Sequence, residues 1–197
     1  MTLKQPILTG PEWLAAEMPP GYRNRLEEME RLARDLEAMT QFGRLLCAVG
    51  PDLRDAVYDA FVAFEFDVSP ARHDIIVTLG ASRRLLVHVS ASDRPINRRD
   101  PELAQVFQML HEFAEPGDRV VLVANNDPAT RPSDRAQGID GEALALLKRL
   151  GANFLPSATL FSLWSRALQD RRDARAYVER LHEQDGGIVA APVLLTV

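Results

Sequence analysis

The chain of 197 residues has one cysteine, Cys47, and two lysines, Lys4 and Lys148. A single thiol excludes any intrachain disulfide, and no Cys-x-x-Cys pair is present to hold zinc. Its setting between Leu45, Leu46, Ala48 and Val49 predicts a buried, inert thiol. The two lysines fall near the start and in a late helix, so a mechanism that needs an ammonium group between them has none to use. No apolar run approaches the ~20 residues that cross a bilayer. The opening Met-Thr-Leu-Lys-Gln-Pro-Ile-Leu lacks the apolar centre of a signal peptide. Both observations predict a cytoplasmic protein with no membrane partner. A Gly-rich phosphate loop, a Gly-x-Ser-x-Gly elbow and a His-Glu-x-x-His pair are all missing. So is a row of aromatics on which single-stranded bases would stack.

What is present suits one well-packed domain with an appendage: 46% hydrophobic residues and a formal charge of -5. That charge argues against a general basic coat for nucleic acid, although a local arginine patch on an acidic chain still meets phosphate. Residues 1–41 read as an irregular arm followed by a helix. Pro6, Pro11, Pro19 and Pro20 break the arm, where Trp13 and Leu14 are apolar anchors. Tyr22, Leu26, Met29, Ala33, Leu36 and Thr40 then form a narrow helical stripe, which packs on the chain's own domain or pairs with a second copy.

Residues 42–197 read as an α/β domain with a helical C-terminal addition. A helix is predicted from about Asp52 to Phe64, with Asp52 at its N-cap or in its first turn. Strands follow at Phe66–Val68, Asp74–Leu79 and Leu85–Ser90. The next helix runs from Pro101 to about Glu115, with Leu103, Val106, Phe107, Leu110 and Phe113 as its apolar face. Val120–Ala124 is a continuous apolar strand buried on both sides. Residues 125–139 form a long polar loop of the kind that carries function. Helices at 141–150, 158–168 and 171–183, a short strand at 153–155 and a last strand over 188–197 complete the reading.

The second and third strands are separated by Gly80-Ala81-Ser82, a hairpin turn. With the turn centred near Ala81, facing residues have numbers summing to about 162, which sets Asp74 opposite His88. Strand alternation puts Ser90 on the face of His88. His73, on the opposite face from Asp74, is the remaining residue here with metal-ligand chemistry.

The order helix, three strands, helix, strand resembles the core of restriction-endonuclease-like proteins, the PD-(D/E)xK superfamily. The likeness is to stand-alone bacterial members and covers about residues 45–165. It rests on Leu45-Leu46-Cys47-Ala48-Val49-Gly50 as a Leu-Leu-x-x-x-Gly helix end, with Asp52-Leu53-Arg54-Asp55-Ala56-Val57 after it. Pro95-Ile96-Asn97-Arg98-Arg99-Asp100 then precedes a Gln-containing helix, followed by Val-Val-Leu-Val-Ala-Asn and Ala158-Thr159-Leu160-Phe161. The resemblance implies a three-layer core, a central mixed sheet between helices. It also implies that Asp74, His88 and Ser90 stand where such nucleases carry Asp, Glu and Lys.

In those enzymes two carboxylates hold Mg²⁺ and the lysine stabilises charge or places the attacking water. His in place of Glu trades an anionic oxygen for a neutral nitrogen, and Ser in place of Lys removes the cation. Gln105 and Gln108 match the family's helical glutamine or lie on a solvated face. The implied protein is a non-catalytic member that needs no cofactor and works as a nucleic-acid-binding or assembly module. The alternatives are an active Mg²⁺- or Mn²⁺-dependent nuclease, with a migrated carboxylate from Asp52 or Asp55 beside Asp74, and a structural subunit that assembles through residues 1–41, as a homodimer or in a larger complex. Arg83, Arg84, Arg94, Arg98 and Arg99 are the candidates for DNA phosphate, with Arg131 and Arg135 as additions. Asp93, Asp100, Asp127 and Asp134 are interleaved with them, so a salt-bridged surface competes with that role. The cluster Arg166, Arg171, Arg172, Arg175 reads as a helix exterior.

Overall fold

The computed structural model describes residues 17–71, 74–168 and 171–189. Trp13, Leu14, His73 and residues 190–197 of the strand expected over 188–197 lie outside them. Contacts divide the chain into two compact units, Met1–Met39 and Thr40–Val197. Helix α1 (Tyr22–Phe42) starts in the first and ends in the second. Its Met29, Leu32, Leu36 and Met39 are about half exposed. Among the described residues no helix is long and apolar enough to cross a membrane.

The second unit is an α/β structure with a mixed sheet between helices. After the short α2 (Arg44–Cys47), α3 (Gly50–Ala63) begins with Pro51 in its first turn, where a missing N–H costs nothing. Asp52 sits in that first turn and complements the helix dipole. Strands β1 (Asp67–Pro70), β2 (Ile75–Gly80) and β3 (Arg83–Ser92) form an antiparallel meander. Helix α4 (Pro101–Gln108) continues as a π turn, Met109–Phe113, before β4 (Arg119–Asn126). A loop containing the 3-10 turn Pro132–Asp134 leads to α5 (Gly141–Leu150), which Asp140 caps by accepting from the Ala143 N–H at 2.7 Å. Then come β5 (Asn153–Pro156), α6 (Ser157–Ala167), α7 (Arg171–Glu183) and β6 (Gly187–Ile188).

The strands lie in the order β1-β2-β3-β4-β5-β6, parallel from β3 onward. Alternation along the strands builds two cores. Leu85, Val87, Val121, Val123 and Leu155 face α3, α6 and α7, while Leu86, Val120, Leu122, Ala124 and Phe154 face α4 and α5. Connections β3-α4-β4 and β4-α5-β5 therefore cross one face of the sheet, and β5-α6-α7-β6 crosses the other. Because the strand order advances in one direction throughout, the last crossover has the opposite hand to the two before it. At the carboxyl ends of β4 and β5 the outgoing chains diverge to opposite faces.

The π turn corrects the expected apolar face of the helix after β3. Each π residue turns the chain less than an α residue, so the stripe is displaced at residue 109. Met109 takes the core position at 4% exposure, and beyond it Phe113 is left 61% exposed; Phe107, ahead of the turn at the edge of the α4 stripe, is 51% exposed.

Candidate functional site

The hairpin register pairs Ile75 with Val87 and Ile76 with Leu86, so the numbers of facing residues sum to 162. Asp74, one residue before β2, thereby meets His88 across the pair. The His88 Nδ1 lies 2.7 Å from the Asp74 Oδ1, and both side chains are mostly buried, 13% and 19% exposed. A carboxylate only accepts hydrogen bonds, so this contact places the ring proton on Nδ1. Ser90, two residues along the same face, donates to the Glu102 Oε1 at 3.0 Å. Glu102 stands in the first turn of α4, where the helix dipole favours a carboxylate. The face thus carries two hydrogen-bonded pairs, Asp74 with His88 and Ser90 with Glu102. Among the described residues no three of His, Cys, Asp and Glu form a group that could hold a metal ion.

Asp52 and Asp55 do not complete the site. Both are exposed, and α3 packs on the sheet face opposite to α4 and Glu102. The α3 residue that reaches Asp74 is Arg54, whose Nη2 donates to the main-chain oxygens of Ala71 and Asp74 at 3.0 and 3.3 Å. Neighbouring helix positions point about 100° and 200° away from it, so Asp55 and Asp52 turn outward. Gln105 is exposed on α4, and Gln108 donates to Glu112 at 2.8 Å along the helix.

The arginines form no single patch. Arg83 and Arg84 lie at the start of β3, and Arg94, Arg98 and Arg99 lie beyond its end, about 30 Å away at the rise of a strand. Arg84 is held by Asp118 through two hydrogen bonds, 3.0 and 2.6 Å, and by Glu115 at 3.1 Å. Asp118 is 2% exposed. Burial alone would raise its pKa, but the bonds from Arg84 and the Glu115 N–H overcome this and lower it. Arg94 grips Asp100 with two 2.7 Å bonds and, with the Asn97 N–H, holds that carboxyl down to about 2. The guanidinium groups of Arg83, Arg98 and Arg99 have no protein partner among the described residues. Of the late cluster, Arg175 lies 4.6 Å over the Phe66 ring and donates to the Glu65 carbonyl, so it packs the body as well as covering it.

Arg135 is a clamp within the protein. Its Nε donates to the Thr130 carbonyl at 2.8 Å, Nη1 to the Asn125 Oδ1 at 2.7 Å, and Nη2 to the Leu46 carbonyl. Burial lowers its pKa against the pull of Asp127. The loop it closes begins later than the sequence predicts, because β4 runs through Asn125 and Asn126, both buried. Asn125 Nδ2 donates to Ala48 and Asn126 Nδ2 to Arg94, at 2.8 and 2.9 Å, which satisfies polar groups that burial would otherwise penalise. Ala124, Asn126, Arg135, Gly138, Phe154 and Ser157 are among the residues lining a cavity of about 160 Å³ at the carboxyl ends of β4 and β5.

Cys47 is exposed, contrary to its apolar setting. Leu45 takes the core position at 0% exposure, and a residue two positions later on a helix points about 200° away. In the native protein Cys47 is expected to react with a small maleimide at the rate of a free thiol, followed by mass spectrometry. Protection by more than about tenfold, as local opening of a core site requires, would return it to the interior.

Glu102, Asn125 and Asn126 are the residues that sequence reasoning did not place in or near a site, and Arg135, read as a phosphate contact, bonds within the protein instead. A first-turn Glu after Pro101 reads as a helix start, and only the fold brings it to Ser90. Comparison with protein-family models, with curated proteins and with solved structures finds no match to this chain.

Proposed function

We propose that this chain is a restriction-endonuclease-like protein that has lost metal-dependent cleavage and works as a binding module. The 2.7 Å contact between Asp74 and His88 carries the reading. The one acid at an expected catalytic position is engaged by a histidine side chain, with no lysine beside it among the described residues. The run α3-β1-β2-β3-α4-β4, antiparallel through β3 and parallel after it, supports the family likeness. Arg98 and Arg99, on the loop beyond β3 that leads to Glu102, are the cations with which the module meets phosphate. Fold likeness alone does not assign an activity, so the test is direct. Titration calorimetry with Mg²⁺ and Mn²⁺ is expected to show no saturable binding, and plasmid DNA incubated with either ion stays intact. DNA affinity falls with salt, and Arg98→Ala with Arg99→Ala reduces the salt slope by about 2. Absence of DNA binding even at low salt would replace the nucleic-acid role with protein assembly.

One observation favours an active nuclease as the second reading. Glu102 supplies a carboxylate on the sheet face of His88 and Ser90, in the role first sought from Asp52 or Asp55. Cleavage in Mn²⁺ that is lost in both Asp74→Ala and Glu102→Gln would establish it and overturn the non-catalytic proposal.

A further inference from the structure

The sheet has a switch point that the proposed binding role does not use. Between β4 and β5 the outgoing connections part, one toward α5 on one face and one into α6 on the other, and open α/β sheets bind ligands in the crevice that such divergence leaves. The 160 Å³ cavity lies at this point. At roughly 30 Å³ for each water in the liquid, it has room for about five waters or one small organic molecule.

Three features of its wall select the ligand. The N-terminus of α6 opens onto it through Ser157 and Ala158, with no side-chain cap and no acidic residue in the first turn. The first N–H groups of this eleven-residue helix are therefore donors without a side-chain acceptor, at the positive end of the dipole. Ser157 itself is 1% exposed, and its Oγ has no hydrogen-bond partner among the described residues. Buried hydroxyls without partners are rare, and one in the wall of a cavity offers a donor and an acceptor to whatever occupies it. Among the described residues the only charged one lining the cavity is a cation, Arg135, which uses three of its five N–H groups within the protein. Phe154, Ile188 and Pro132 give the wall an apolar side, and Asn126 and Gln137 add neutral polar groups.

We infer that this crevice binds a small molecule bearing a single carboxylate or phosphate group, held by the start of α6, Ser157 and Arg135, with its short apolar part against Phe154 and Ile188. The two head groups share the chemistry of an anion accepting several N–H and O–H bonds.

The test is a backbone amide NMR titration of the full chain at constant ionic strength, with inorganic phosphate in one arm and butyrate in the other. Saturable shifts centred on Ser157 and Ala158, with Kd on the order of 1 mM, are expected in at least one arm. Phosphate alone identifies a phosphate ester as the ligand class, and tighter butyrate binding identifies a short carboxylate. Ser157→Ala is expected to weaken binding about fivefold. Ala158→Asp places a carboxylate in the first turn, where it suits the helix, and is expected to weaken binding at least tenfold, while the uncharged Ala158→Asn stays within about twofold. If Ala158→Asp does not fold, Ala136→Glu on the exposed loop side of the cavity makes the same comparison. The inference fails if neither anion gives saturable shifts, if the shifts centre on Arg98 and Arg99, or if the charged and uncharged variants bind alike.

Discussion

Asp118→Ala is expected to destabilise the fold by about 3 kcal/mol, because it removes the acceptor of a mostly buried charge-assisted pair and leaves Arg84 with only Glu115. The Asp118 Oδ2 also accepts from the Glu115 N–H at 2.9 Å, so the substitution frees a main-chain donor in the turn before β4. Asp118→Asn keeps an oxygen for that donor and is expected to cost about half as much. Urea unfolding of the three proteins measures both values, through a shift in midpoint at unchanged slope. A cost below about 0.5 kcal/mol, the scale of exposed pairs, would show that Arg84 is held loosely enough to serve phosphate instead.

The acid limb of stability follows from the same pair. The folded-state pKa of Asp118 is lowered, so its contribution is complete above the unfolded value, near 4 for Asp, and is lost as pH falls from there through the folded value. Asp100, held at about 2 by Arg94, acts in the same direction, and its share disappears between about pH 4 and pH 2. Arg94 is 57% exposed, so solvent screens that pair, and Asp118 and Asp100 both contribute to the acid limb. Asp118→Ala is accordingly expected to flatten the stability profile below pH 4.

The sequence was informative where local pattern decides structure. Alternation and turn chemistry set the hairpin register, because one residue of slip would turn Ile75, Val77 and Leu79 out of the core. Asp74 and His88 were therefore legible as neighbours before any side-chain geometry. Glu102 was not, since it meets Ser90 only after α4 crosses the sheet. Asp52 and Asp55 were misplaced for a related reason: helical spacing says which way a residue points relative to its helix, but not on which face of the sheet that helix packs. The arginines failed as a group because sequence proximity was read as spatial proximity. A ten-residue strand separates Arg84 from Arg94, and each has its own aspartate. Cys47 was misjudged because its four-residue helix presents only Leu45 to the core.

Gly138→Val is expected to cost about 3 kcal/mol and to close the cavity between β4 and β5. The backbone at Gly138 is tied down on both sides of an exchange with Ile96, whose N–H donates to the Gly138 carbonyl at 3.0 Å and whose carbonyl accepts from Asp140 at 2.9 Å. It cannot retreat without breaking these bonds. A Cβ there would overlap the Asn126 Oδ1, come within 2.8 Å of its Cγ and reach 3.1 Å from the Phe154 ring. The Asn126 amide is the nearer obstacle, and the Phe154 ring borders the cavity, so Asn126 must move first. That motion breaks its 2.9 Å bond to the Arg94 carbonyl and adds an unpaired buried amide to the overpacking, each worth about 1 to 3 kcal/mol. Gly138→Ala meets the same atoms with a smaller side chain and is expected to cost about 2 kcal/mol. Thermal unfolding checks the order, with Asn126→Ala in the Gly138→Ala background as the decisive comparison. Removing the obstructing amide should recover part of the loss, whereas additive costs would show that the two residues do not compete for the same space.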